Sequence, residues 1–364
     1  MYVVLFTSFL AFLLTYLESK RKIEGGMKWG FILLAFLGCI HYDYGNDYQS
    51  YFLIYKNITK YPFDLGAVIS GESFKEQSWA FLCYLFKNFG GFFMLVAFLN
   101  IVQCILVYTT IKRYVAKPWW PFSVFIFAFS SNLYILGFSM MRQYLVMVIF
   151  FACWPLIEKK KTLLALLVLF LCTTIHTSAM LLLPFAFMSY ASIQRSKLWA
   201  WGLVLLFLAV WFAGSFINYI FASFMSTDQF GAYEHYGDTN DKISFGIGYL
   251  VELIPFILSI RYLMDDKISK SRSDKGIVYI SLISFLVMPF ATIIPLITRI
   301  SFYFIIYQII AIPLVYSQIA NWKIRYAAIF IFVFMTLYTT YGFFYSPVWI
   351  EKYSTFKTIF PEIF

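Results

Sequence analysis

The chain has 364 residues, of which 62% are hydrophobic and 13% charged, whereas a soluble domain carries about 25% charged residues. No soluble fold hides that much apolar surface, so a water-soluble globular class is excluded. The net charge of +10 would suit a nucleic-acid binder in a soluble chain. Here the basic residues stand in short clusters between apolar runs, which is a membrane-topology signal, and no nucleic-acid partner is expected.

Each bilayer crossing needs about 20 mainly apolar residues, because a helix rises about 1.5 Å per residue across about 30 Å of hydrocarbon. In chain order the apolar runs predict helices over 2–17, 27–40, 92–111, 120–138, 140–157, 162–175, 177–193, 198–222, 246–263, 276–296, 300–318 and 326–344. The expected fold is all-α: a polytopic integral membrane protein with about 12 transmembrane or membrane-embedded helices, in a single membrane-embedded domain over 1–364. The first run, YVVLFTSFLAFLLTYL, lacks a basic leader and a small-residue cleavage site and reads as a retained helix. Cys39, Cys83, Cys104, Cys153 and Cys172 lie in or beside apolar runs without metal-ligand spacing and read as buried thiols.

With the N-terminus outside, the inward loops collect most of the 28 Lys and Arg, in clusters such as Lys20-Arg21-Lys22, Lys112-Arg113, Lys159-Lys160-Lys161 and Lys267 to Lys275. Two longer segments then face outward: 41–91, with amphipathic helices, and 223–245. No GxGxxG, Walker loop or HExxH motif occurs. Nucleotide-driven chemistry and zinc hydrolysis have no support, and neither a cofactor nor a metal site is expected.

The segment 41–91 begins HYDYGNDYQSYFLIY, placing Tyr44, Tyr48, Tyr51 and Tyr55 on one face of a short helix. That face suits the membrane interface. A carboxylate beside tyrosines, Asp43 or Asp47, can bind sugar hydroxyls or accept a proton from one. Glu76 and Gln77 precede a second amphipathic stretch, where Glu76 either favours a helix N-terminus or contacts substrate. The polar, acidic 223–245 segment reads as a mobile outer loop and a candidate substrate lid, with His235 as a solvated loop histidine.

Arg142 lies in the apolar run YILGFSMMRQYLVMVIFFACW with Gln143 beside it. Charging such a position costs about 2.5 to 3.5 kcal/mol on insertion scales, so a compensating anion is expected. Arg299, between two apolar helices that meet on the outward side, makes a second fork for an anionic ligand such as a diphosphate. His176, in the polar break TTIHTS, is either a core histidine bonded to backbone, or a base, or a diphosphate contact when protonated. Glu252, in GYLVELIPF, is a membrane-embedded acid that pairs with an arginine or contacts substrate.

The motifs YGNDYQSYFLIY, EQSWAFLCYLF, MRQYLVMVIFFA, IHTSAMLLLP and TRISFYF, in this order over about 40–305, resemble the EpsG-like group of Wzy-type polysaccharide polymerases. The family pattern often carries an arginine before the glycine-aspartate-tyrosine stretch, where this chain has Asp43-Tyr44-Gly45-Asn46-Asp47-Tyr48. The resemblance implies a GT-C-like, metal-independent, inverting glycosyltransferase in the bacterial cytoplasmic membrane. Its active site would face the periplasm or cell exterior and join undecaprenyl-diphosphate-linked oligosaccharide repeat units into surface polysaccharide.

A flippase and a chain-length regulator of the same pathway would be its protein partners, and the lipid bilayer its surroundings. On that reading Arg142 and Arg299 offset the charge of the departing lipid diphosphate, and His176 or Asp47 takes the acceptor proton. Asp43, Tyr44, Tyr48, Tyr51, Glu76, Gln143, Glu252 and Tyr303 contact substrate. A lipid-linked oligosaccharide flippase, a polysaccharide ligase and a membrane acyltransferase remain the alternatives.

Overall fold

In hydrocarbon every backbone N–H and C=O must be satisfied within the chain, and apolar runs meet that demand by becoming helices. The computed structural model describes residues 1–190, 200–205, 208, 247–268, 270–288 and 295–360. Its elements are α1 (Tyr2–Ser19), α2 (Gly26–Ile40), β1 (His41–Tyr42), α3 (Tyr48–Thr59), α4 (Leu65–Ser70), α5 (Gln77–Lys87), α6 (Gly91–Tyr114) and α7 (Trp120–Phe129). They continue with α8 (Met141–Glu158), α9 (Thr162–Ile175), a 3-10 stretch (Thr177–Tyr190), α10 (Ile247–Met264), α11 (Arg272–Val287), α12 (Pro295–Ile305), α13 (Gln308–Ser317), α14 (Trp322–Tyr345), α15 (Ile350–Tyr353) and β2 (Lys357–Thr358).

Among the described residues, four helices are long and apolar enough to cross a membrane: α1, α6, α8 and α14. A fifth span results if α12 and α13, bent by 46° at a short break, are taken as one. These five match the expected spans 2–17, 92–111, 140–157, 326–344 and 300–318. The expected span 120–138 is instead a short helix, α7, that stops at Phe129, followed by a 3-10 turn over Ile135–Phe138. Ser130, Ser131 and Asn132 fall at the break, where short polar side chains compete with helical hydrogen bonding. Of the expected helix 177–193, the described part, Thr177–Tyr190, is of 3-10 type and contains Pro184. Most of the expected helix 198–222, all of the loop 223–245 and His235 lie outside the described residues.

The chain divides into two compact units, Met1–Ala191 with Leu337–Phe364, and Ser192–Thr336. In the first, α8 is the core: Val146, Met147, Val148, Phe150 and Phe151 are fully buried. The rim helices do the opposite, with Phe6 on α1 62% exposed and Leu163 on α9 83% exposed, a surface suited to lipid and not to water. α1 and α2 approach so closely that a side chain on Gly30 would lie 2.9 Å from the Ala11 carbonyl oxygen, a small-residue contact typical of membrane helix pairs. The five cysteines are free thiols, four of them buried.

Charge is sorted between the two ends of this unit. At one end Glu18 pairs with Lys117 at 3.7 Å and accepts the Met27 N–H at 2.8 Å, while the Tyr114 hydroxyl donates to Glu158 at 2.7 Å. The basic clusters at 20–22, 112–113 and 159–161 adjoin those contacts in the chain. At the other end β1 and β2 pair antiparallel, His41 opposite Thr358 and Tyr42 opposite Lys357. There the Met1 ammonium donates to the Ser354 carbonyl at 3.0 Å, and the Tyr44 hydroxyl donates to the Tyr353 carbonyl at 3.1 Å. The N-terminus, the end of α2 and the C-terminal segment thus share one end, as the charge pattern of the loops requires.

In the second unit α11 opens with a reciprocal cap, Ser271 Oγ accepting the Asp274 N–H at 3.0 Å and Asp274 accepting the Ser271 N–H at 3.1 Å. Phe285 stacks between Tyr249 at 4.5 Å and Phe256 at 4.2 Å. These rings join α10 to α11.

Candidate active site

Three helix ends meet at the end of the first unit opposite the basic loops. Glu76 is the N-cap position of α5, Arg142 is the second residue of α8, and His176 is the C-cap of α9. The Glu76 carboxylate joins them. Its Oε2 accepts from Arg142 Nη1 in an ion pair. Its Oε1 accepts from His176 Nδ1 at 2.9 Å, from the Thr177 N–H at 2.9 Å and, more weakly, from the Thr177 hydroxyl at 3.4 Å. Alongside, the Ser78 and Thr174 hydroxyls are hydrogen-bonded at 2.6 Å, which ties α5 to α9 a second time.

The compensating anion that Arg142 demands is therefore the protein's own Glu76. The arginine is also held by rings: its guanidinium lies 5.3 Å from the centroids of Tyr51 and Phe74 and 5.9 Å from that of Trp79. Each such contact contributes about 0.5–2 kcal/mol as water is excluded. Arg142 Nε is buried without a hydrogen-bond partner among the described residues, a donor in reserve for an acceptor oxygen.

Electrostatics follow from this packing. Burial of the Glu76 carboxyl pushes its pKa up, but the His176 hydrogen bond, the Arg142 charge and the Thr177 N–H outweigh burial and hold it below the usual value. An ionised carboxylate only accepts, so His176 Nδ1 carries the proton. That hydrogen bond fixes the direction of the ring and turns Nε2 away from the carboxylate.

The loop that brings α3 to this site explains its glycine. Gly45 has φ +115°, and a side chain there would lie 2.6 Å from the Phe138 carbonyl oxygen. Only glycine combines that conformation with that approach. The contact lets the Asp47 N–H reach Ser139 Oγ at 3.1 Å, just before α8 begins. Asp47 stands at the N-cap position of α3, one turn before Tyr51, and its charge acts on that tyrosine beside Arg142.

The remaining sequence-predicted residues sit elsewhere. Asp43 pairs with Lys352 at 3.4 Å and Lys357 at 4.0 Å. The tyrosine stripe faces protein and not the membrane interface: Tyr44, Tyr48, Tyr51 and Tyr55 are all buried. Tyr48 stands edge-on to His41 at 5.3 Å and Phe92 at 5.4 Å, because aromatic residues at helical spacing serve a core as well as a belt. Gln143 is buried next to Arg142.

Arg299, Glu252 and Tyr303 belong to the second unit. There Glu252 accepts from Gln308 Nε2, which also donates to Ser284 Oγ at 3.2 Å. Tyr303 on α12 is fully buried, and Arg299 on the same helix is exposed.

Sequence reasoning passed over Phe74, Trp79, Thr177, Gln308 and His41. His41 is fully buried, with Nδ1 2.6 Å from the Gly38 carbonyl oxygen and a pKa pushed down to about 4 by burial. Only its place beside the DYGNDY run could have marked it.

Fold and site define a class: a mostly helical, multi-pass membrane protein with an acid, an arginine and a histidine joined at one end of its helices. The chain belongs to the EpsG family, whose family model matches residues 29–356. No curated protein and no solved structure matches it. Family membership carries a polysaccharide polymerase-like role in the membrane, with lipid-linked substrates.

Proposed function

We propose that the chain polymerises lipid-diphosphate-linked oligosaccharide units by inverting, metal-independent glycosyl transfer on the outer side of the bacterial cytoplasmic membrane. On this reading the N-terminus is outside, about 12 helices span or enter the membrane in a GT-C-like arrangement, and undecaprenyl diphosphate is the carrier. The observation that carries it is the Glu76 carboxylate bridging His176 and Arg142 at the end of the first unit opposite the basic loops. Positive loops stay cytoplasmic, which turns that site outward.

His176 Nε2 takes the proton of an acceptor hydroxyl, while Glu76 holds Nδ1–H and the ring direction. The freed oxygen attacks the anomeric carbon of the donor. The bond from that carbon to the diphosphate oxygen breaks, and its electron pair leaves with the lipid diphosphate. Arg142, Glu76 and neutral His176 together carry no net charge. Proton transfer makes the cluster positive as the leaving group gains further negative charge, so stabilisation grows toward the transition state. Asp47 orients the acceptor sugar.

Purified full-length protein in nanodiscs, given a single lipid-linked repeat unit, is the test. Longer lipid-linked products are expected. Transfer across the bilayer without elongation would indicate a flippase, and a change of carrier at constant chain length would indicate a ligase.

A further inference from the structure

Beside the Glu76 cluster, α3, α4 and α5 enclose an open cleft of about 860 Å³ that the proposed chemistry does not use. It is lined by Asn57, Tyr61, Phe63, Asp64, Glu72 and Tyr84, among others. Tyr61 is 64% and Phe63 50% exposed, which is unusual for rings at the wall of a cavity. The Tyr61 backbone and the Phe63 ring each have a partner. Lys87 Nζ donates to the Tyr61 carbonyl at 3.1 Å, and Phe63 stands edge-on to Tyr84 at 5.3 Å.

The polar lining consists of acceptors and an amide. Asp64 spends one oxygen, Oδ1, on the cap of α4, accepting the Gly66 N–H at 2.8 Å and the Ala67 N–H at 3.2 Å. The side chains of Asn57 and Glu72 have no hydrogen-bond partner among the described residues. Exposed aromatic faces together with carboxylate and amide groups suit a ligand with apolar C–H faces and many hydroxyls. Two carboxylates in the lining disfavour a phosphate or an anionic lipid headgroup.

The cleft and the cluster also share a segment. Glu72 and Ser73 line the cleft, Phe74 lies against Arg142, and Glu76 holds His176. We propose that the α3–α4–α5 cleft is a saccharide-binding subsite that grips the glycan of a lipid-linked oligosaccharide beside the Glu76–Arg142–His176 cluster. This rests on the glycosyl-transfer reading and names where the sugars are held.

The probe is a set of oligosaccharides of one to three repeat units, released by mild acid from the host cell's own surface polymer. Binding to full-length protein in neutral-lipid nanodiscs is followed by ligand-observed NMR. Saturable binding is expected, weakened at least tenfold in Tyr61→Ala/Phe63→Ala and in Glu72→Gln. Because Tyr61, Phe63 and Glu72 lie at the surface, the replacements leave the fold intact, checked by an unchanged melting temperature.

Equal binding by wild type and cleft variants would overturn the subsite, as would displacement of the probe by phosphatidylglycerol vesicles. Cleft-dependent binding alongside full-length polymer from His176→Gln cells would retain the subsite and overturn the catalytic reading. Unaltered binding in the cleft variants, with polymer lost in His176→Gln, would do the reverse.

Discussion

Glu76 in the first unit and Glu252 in the second are both carboxylates placed among apolar helices, and their company differs in kind. Glu76 stands where three helix ends converge and receives a guanidinium, an imidazole and a backbone N–H. Glu252 lies within a helix, and its partner among the described residues is the uncharged amide of Gln308, itself shared with Ser284. Helix ends expose unsatisfied backbone groups that bind charge. Helix interiors offer only side chains. The first site is built to keep an ion and pass on its influence, while the second is a hydrogen-bonded tie between α10, α11 and α13.

The largest effect that would sharpen this contrast is loss of activity in the first cluster. His176→Ala removes the base, and its elongation rate is expected to fall about 10²–10⁴-fold. Arg142→Ala removes charge stabilisation, with a fall of about 10²–10³-fold. Both are read as product length per unit time on a lipid-linked repeat unit at matched protein levels. Wild-type rates in both variants would place the chemistry elsewhere.

Glu76 acts through the other two and is a positioning residue, so its replacement tests stability as well as rate. Glu76→Ala strands the Arg142 charge among rings and is expected to cost about 3–5 kcal/mol, seen as a lowered melting temperature. The pH dependence has a definite sign. Because the folded carboxyl is held below its ordinary value, its stabilisation is complete above about pH 4.3. It is lost as pH falls through the depressed value. The stability gap between wild type and Glu76→Gln should therefore close on acidification, whereas a purely steric role would leave that gap constant.

Glu252→Gln should matter far less. An amide in place of the carboxylate keeps a hydrogen bond with Gln308 after a flip, so a stability change of no more than about 1.5 kcal/mol is expected from thermal unfolding. Collapse of elongation with the fold intact would instead give the second carboxylate a chemical role and erase the contrast.

The smallest effect is expected at Asp43. Its partners Lys352 and Lys357 are partly exposed, and such pairs contribute about 0.2–1 kcal/mol. Asp43→Asn, which tolerates the positive φ of 46° at this position, should melt within a few degrees of wild type. A larger loss would mean that the C-terminal segment depends on this pair to stay seated.

Helix positions, the sorting of basic loops to one end and the need of Arg142 for an anion were legible in the sequence. Each follows from local composition: apolar length sets a span, Lys and Arg clusters set sidedness, and a charge in an apolar run demands a partner. The identity of that partner was not legible. Glu76, Arg142 and His176 are separated by 66 and 34 residues in the chain, and only the packing of α5, α8 and α9 brings them within hydrogen-bonding distance.

The tyrosine spacing was equally open, since a stripe at helical period describes a face without saying what it faces. Burial against Trp79 and Phe92 decided that, as the polar break after Phe129 decided that 120–138 is not one helix. Sequence by itself determined the protein's relation to the membrane, because the bilayer acts on each segment separately. The shared carboxylate and its order of contacts were decided by tertiary structure, because they depend on side chains from distant segments meeting at one point.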